Sequence, residues 1–185
     1  GGGCLCDVFL HTAKGRFYKT MCADDILHPD CLKTEYDFLY AHPAIDFCFS
    51  NARYIDAEGN TMHGSFLAKR GAQFAHCKDL CAELLKLYYQ GKSVVPWTTL
   101  LFKRECFTKI ELDFSFVMQF DMAVLLSLCL NNKNVGYIHE MLVSYRIHGG
   151  QISSSKNKEA VYTYSFFEVI RFLNIFLNIK INNNS

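Results

Sequence analysis

The sequence predicts an α/β fold, and three observations carry that expectation. Short β-prone runs alternate with stretches of helical periodicity along most of the chain. Half of the 185 residues are hydrophobic and 15% are aromatic, enough to build a core and to exclude disorder as a description of the whole. The length suits one domain, or one and a fraction, at roughly 150 residues per domain.

Taken in order, Arg16 to Cys22 reads as a strand whose end delivers Asp24 and Asp25 into a loop. Pro29-Asp30 starts a helix, because proline fits a first turn and an acid suits the positive end. That helix runs to about Tyr40, with Leu32, Tyr36, Leu39 and Tyr40 near one face, and His42-Pro43 stops it. Asp46 to Ile55 is the next strand, followed by a turn over Asp56 to Asn60. Residues 62–73 carry little signal. Ala75 to Tyr89 is a helix, and Val94 to Lys103 is strand-like around Pro96. Asp121 to Leu130 is a buried helix closed by Asn131 to Asn134, and Val135 to Arg146 carries a short strand and its exit. There is no internal repeat.

Several classes are excluded or disfavoured. The net charge is +1, with 19 basic against 18 acidic side chains, whereas nucleic-acid binding calls for a basic excess. Three prolines and 11 glycines exclude collagen-like and proline-rich chains. No run reaches 18 apolar residues, and Gly1 to Cys4 does not resemble a signal peptide. A first residue Gly1 rather than Met points to a processed product or a fragment. The nine cysteines contain no C-x-x-C pair; Cys77 and Cys81, one helical turn apart, come nearest to a metal spacing. The expectation is reduced, mostly buried thiols in a cytoplasmic protein.

Charge is unevenly spread. Met21 to Asn60 holds eight acids against two bases, and Thr61 to Lys109 holds eight bases against three acids. An acidic stretch beside a basic one suits a divalent cation with an anionic substrate, and equally suits solvated faces. The tail from Lys158 to Ile181 is apolar nearly all round, with Phe166, Ile170, Leu173 and Leu177 on one side. It reads as a helix packed on the core, or alternatively as a peripheral-membrane or self-association contact.

Asp24-Asp25 is the sharpest chemical feature. Adjacent carboxylates repel, and Mg²⁺ or Mn²⁺, which take hard oxygen ligands, relieve that repulsion. The alternative is a loop that merely precedes a helix.

The surrounding segments, in order, resemble family-2 glycosyltransferases. Met21 to Asp30 (MCADDILHPD) is similar to their strand-end metal motif, and Ala13 to Tyr18 (AKGRFY) to the A-x-G-x-Y lead into it. Phe49 to Asn60 resembles the next strand and its D-x-x-G turn. Val95 to Phe107 resembles the acceptor-side segment, and Phe120 to Leu126 the place of the catalytic acid ahead of a helix. Tyr137 to His148 resembles the closing L-x-x-Y-R-x-H motif, so that the resemblance spans about residues 13–153.

The resemblance implies a GT-A-like mixed sheet flanked by helices. It implies an inverting enzyme that moves a sugar from a nucleotide-sugar donor to a glycan or lipid-linked acceptor, as in cell-surface polysaccharide biosynthesis. Asp24 and Asp25, with His148, would hold Mn²⁺ or Mg²⁺; Asp121 would be the general base; Arg146 and Trp97 would bind substrate. Where the family carries a further acid, this chain has Cys22 and Ala23, so the metal site rests on Asp24 and Asp25. Too few residues precede Ala13 for the family's base-binding strand–helix–strand unit, so truncation at the N-terminus is expected. The Arg16–Cys22 strand would then lack a neighbour.

The expected organisation is an unassigned segment 1–12, a glycosyltransferase-like catalytic region 13–155, and a C-terminal helix and disordered tail 156–185. Two rival readings stand beside the enzyme. One is a non-catalytic binding or assembly module derived from such a domain. The other is a metal-dependent nucleotidyl- or phosphotransferase using the same two acids.

Overall fold

A computed structural model describes residues 12–67, 74, 79–89, 95–108, 110, 120–151, 167–168, 170–171 and 174. The chain divides into two compact units. One comprises Lys14–Ile110 and Leu125–His148; the other takes in the described residues 12–13, 120–124, 149–151 and those from 167 onward.

The larger unit is built on a mixed sheet. Its strands are β1 (Phe17–Lys19), β2 (Ile26–Leu27), β3 (Phe47–Ile55), β4 (Thr61–Ser65), β5 (Leu100–Lys103) and β6 (Val135–Arg146). The order is β1-β5-β3-β6-β2. Only β3 and β6 are parallel; β1–β5, β5–β3 and β2–β6 are antiparallel. β4 also pairs antiparallel with β3, opposite its Arg53–Ile55 end, where β5 has left off after Phe49. The fold is therefore α/β with a mixed sheet, as the sequence predicts.

β3 is central, which explains why its Phe47–Ala52 stretch is buried on both faces. Toward one face, Cys48 and Ala52 join Leu101, Ile138, Leu142 and Val143 under helix α1 (Cys31–Ala41). On the opposite alternation, the Phe49 ring meets Phe74 edge-on at 5.6 Å and Tyr137 at 5.1 Å. β6 offers 12 residues against nine on β3, and the surplus is absorbed in register shifts around Asn51. The β6 residues there without a partner on β3 are His139, Glu140 and Leu142; Met141 between them pairs with Asn51, and from Ala52 opposite Val143 pairing runs to the end of both strands.

Three expectations need correction. α1 begins at Cys31, with Asp30 at its cap making no side-chain cap bond, so Pro29 lies outside the helix. Its buried face is Cys31, Glu35 and Leu39; Leu32, Tyr36 and Tyr40 are exposed. Glu35 goes inside because Lys19 of β1 meets it there at 2.6 Å. The third concerns β1, expected to lack a neighbour and expose an edge: it pairs with β5 from Phe17 to Lys19, and among the described residues it is an edge strand of the sheet.

Helices α2 (Leu80–Tyr89) and α3 (Phe120–Leu130) lie where helices are predicted, though α2 is described only from Leu80. The run around Pro96 is a 3₁₀ turn, Trp97–Thr99, leading into β5. Residues 1–11 and most of the apolar tail lie outside the described residues, Phe166, Leu173 and Leu177 among them. Of the tail, Phe167, Glu168, Ile170, Arg171 and Asn174 are helical. Among the described residues no helix is long and apolar enough to cross a membrane.

Candidate functional site

The parallel strands β3 and β6 end side by side. Ile55 pairs with Arg146, and the Ile147 N–H donates to the Ile55 carbonyl at 2.8 Å. The carboxyl edge of parallel strands is where ligands of α/β sheets characteristically bind. β2 runs antiparallel to β6 with Ile26 opposite Ser144, so the residues just before β2 reach the level of Tyr145 and Arg146. Those residues are Asp24 and Asp25.

Arg146 fastens this corner. Its main-chain N–H donates to Asp25 Oδ1 at 2.9 Å, and its Nε donates to the Asp24 carbonyl at 2.9 Å. Its Nη1 donates to the carbonyls of Asp56 and Ala57, at 2.9 and 2.8 Å. One planar guanidinium thus ties the Asp24–Asp25 turn to the turn after β3. That second turn is closed by the Asp56 carboxylate, which accepts from the Asn60 side-chain amide at 3.0 Å and the Asn60 N–H at 2.8 Å. These donors hold the Asp56 carboxyl below its ordinary value, and Gly59 completes the turn at φ +97°.

Asp25 is 5% exposed, and its Oδ2 has no hydrogen-bond partner. Burial pushes its pKa up; the Arg146 N–H opposes this, the neighbouring Asp24 charge adds to it, and the Thr98 side chain and Arg146 charge oppose it. Asp24 is more open, and its Oδ2 lies 2.9 Å from His148 Nε2. Cys22 stands beside them, half-buried. Its sulfur and one oxygen from each aspartate lie within 4.8 Å of one another.

The structure therefore gathers four of the six residues singled out by sequence, Asp24, Asp25, Arg146 and His148, into one corner. Trp97 is half-buried on the 3₁₀ turn; its ring packs 6.1 Å from Phe102, and its carbonyl accepts from the Thr20 hydroxyl. Its neighbour Thr98 is the residue of that turn that acts on Asp25. Asp121 belongs to the other unit, at the start of α3. Its Oδ1 accepts from the Met122 N–H at 2.8 Å. Burial raises its carboxyl pKa; the Met122 N–H and its own N–H oppose this, and the nearby Glu168 charge adds to it.

Sequence reasoning missed two members of the corner. Cys22 stands in the position of a missing acid, and its thiol could have been weighed as a ligand in place of a carboxylate. Thr98 gave no sequence signal, since a threonine after Pro96-Trp97 matches no pattern of its own.

Over 165 residues the chain is 23% identical to an uncharacterized glycosyltransferase of Methanocaldococcus jannaschii. The alignment covers 89% of this chain and 53% of that protein, so the chain spans about half the length of the curated relative it matches. No family model matches. The aligned share of this chain is large enough that the similarity does not rest on one short motif.

Proposed function

We infer that the chain carries part of a glycosyltransferase, of GT-A type and inverting, that takes a sugar from a nucleoside-diphosphate donor to a glycan or lipid-linked acceptor. The observation that carries this reading is the buried Asp25, with an unpartnered oxygen, held beside Asp24 at the carboxyl edge of β3 and β6. The similarity to the Methanocaldococcus jannaschii glycosyltransferase supports glycosyl transfer as the general chemistry.

The donor set fits a divalent cation. Two adjacent carboxylates, one buried with an Oδ2 that makes no close hydrogen bond and with the Thr98 side chain offsetting its burial only in part, suit a divalent ion. When bound there, Mn²⁺ or Mg²⁺ would offset charge on the departing nucleoside diphosphate. His148 orients Asp24 through its ring nitrogen. Arg146 acts chiefly by holding the two turns together, since its Nε and Nη1 are engaged by main-chain carbonyls. Asp121 serves as general base. It takes the proton from the acceptor hydroxyl as that oxygen bonds to the anomeric carbon and the bond to the diphosphate breaks. Its raised pKa suits proton uptake.

A second reading, a non-catalytic assembly module, is favoured by Leu32, Tyr36 and Tyr40, which α1 leaves exposed, with the Tyr36 ring against Phe17 of β1. Titration with nucleoside diphosphates and nucleotide sugars, with Mn²⁺ and then with EDTA, decides between the two. Binding that needs Mn²⁺ and is lost in Asp25→Ala supports the transferase. Absence of binding to every nucleotide tested supports the module.

A further inference from the structure

The geometry points to Cys22 as a third, sulfur ligand of the divalent-cation site, which makes this site selective for a thiophilic ion such as Zn²⁺ or Co²⁺ over Mg²⁺. The proposal rests on the reading of Asp24 and Asp25 as cation ligands. It departs from an all-oxygen site because the group that the fold assembles is Cys22, Asp24 and Asp25.

Three arguments carry it. The first is reach. Ligands on one ion at about 2.0–2.3 Å lie at most about 4.5 Å apart, and the sulfur and two oxygens already lie within 4.8 Å of one another. Side-chain torsion closes the difference. The second is need. Asp25 is 5% exposed, its Oδ1 is taken by the Arg146 N–H, its Oδ2 makes no close hydrogen bond, and the Thr98 side chain and Arg146 charge offset its burial only in part, so a positive ligand would stabilise it. The third is ligand chemistry. Cys22 is half-buried, open enough to admit an ion. A thiolate beside two carboxylates suits Zn²⁺ or Co²⁺, whereas Mg²⁺ takes oxygen and keeps its waters. On binding, the Cys22 thiol gives its proton to solvent as the sulfur–metal bond forms.

The test uses Co²⁺ alone on the 185-residue chain, with no nucleotide present. The expected result is a near-ultraviolet sulfur-to-cobalt charge-transfer band that Zn²⁺ abolishes and a large excess of Mg²⁺ does not. Cys22→Ser should lose the band and weaken Co²⁺ binding by at least about tenfold, the effect of losing even an outer partner of a metal site. Far-ultraviolet circular dichroism of Cys22→Ser should match the parent. A band that persists in Cys22→Ser overturns the proposal, because the sulfur then comes from another of the nine cysteines. Displacement of Co²⁺ by Mg²⁺ at equal concentration overturns it as well. Mn²⁺-dependent nucleotide binding in Cys22→Ser, without any thiolate band in the parent, would sink the sulfur ligand and leave the transferase reading standing. A thiolate band lost in Cys22→Ser, without nucleotide binding under any metal, would sink the transferase reading and leave the sulfur ligand standing.

Discussion

The main-chain N–H of Arg146 donates to Oδ1 of Asp25 at 2.9 Å, across 121 positions of sequence, and leaves Oδ2 buried without a partner. Half of this carboxylate is therefore satisfied by the fold and half is not. A buried charge with an open valence costs stability and is kept where it serves a ligand.

The first prediction follows from that division. Asp25→Asn keeps an acceptor for the Arg146 N–H and removes a buried negative charge beside Asp24. The free protein should gain about 1 kcal/mol of stability, the lower range for relieving a poorly solvated group. It should at the same time lose the rise in Tm that divalent cations are expected to give the parent. Thermal unfolding with and without Mn²⁺ or Zn²⁺ measures both. A variant that is less stable and still responds to the cations would remove Asp25 from the site.

Arg146 supports a second prediction. Its Nε serves the Asp24 carbonyl while its Nη1 serves those of Asp56 and Ala57. A lysine ammonium cannot span both turns with fixed geometry. Arg146→Lys should cost about 2 kcal/mol, the worth of one or two charge-assisted hydrogen bonds. It should also weaken divalent-cation binding although Arg146 is no ligand. Hydrogen exchange should rise in the amides around both Asp25 and Asn60; a rise at one turn alone would mean that the guanidinium does not link them.

Much of this corner is legible in the sequence because its parts are local. The Asp24-Asp25 pair, the Asp56–Asn60 turn and the Arg146–His148 exit each show in a few consecutive residues. Their convergence is set by register, Ile26 opposite Ser144 and Ile55 opposite Arg146, which no local pattern encodes. β4 escapes notice for a different reason. Four of its five residues, Thr61 to Gly64, are exposed, and Gly64 sits at φ +95°, so neither alternation nor β-propensity marks it. The face of α1 misleads because periodicity counts apolar residues. Glu35 would be placed outside by that count, and only its meeting with Lys19 from another element turns the helix.

That pair yields a third prediction. Glu35 is fully buried, and burial raises its carboxyl pKa while the Lys19 charge and hydrogen bond lower it. Lys19→Met leaves the carboxylate without its cation and should cost about 3 kcal/mol at neutral pH. A carboxyl whose folded pKa is raised binds its proton more tightly when folded, so stability falls as pH rises from the unfolded value through the folded one. The loss in Lys19→Met should therefore shrink as pH is lowered toward the ordinary glutamate range. Adding Glu35→Leu should recover most of the stability at all pH values. Denaturant unfolding across pH provides the check, and a pH-independent loss in the single variant would show that Glu35 carries no buried charge.

Asp121 gives the last prediction, one about rate. As the proposed general base it would have to be deprotonated before the acceptor attacks, so activity should be lost as pH falls through its pKa. Burial raises that pKa, two main-chain N–H groups hold it back, and the Glu168 charge raises it further. The acid limb of kcat/KM should accordingly lie above the ordinary aspartate value of about 4. Glu168→Gln removes a like charge and should move this limb to lower pH without abolishing transfer. Asp121→Asn should abolish transfer and leave Mn²⁺-dependent donor binding near the parent's. These outcomes separate a base from a helix-terminal charge, because a residue that only favours the α3 terminus has no reason to set the pH dependence of turnover. An acid limb that stays fixed in Glu168→Gln, together with transfer that survives in Asp121→Asn, would remove Asp121 from the reaction.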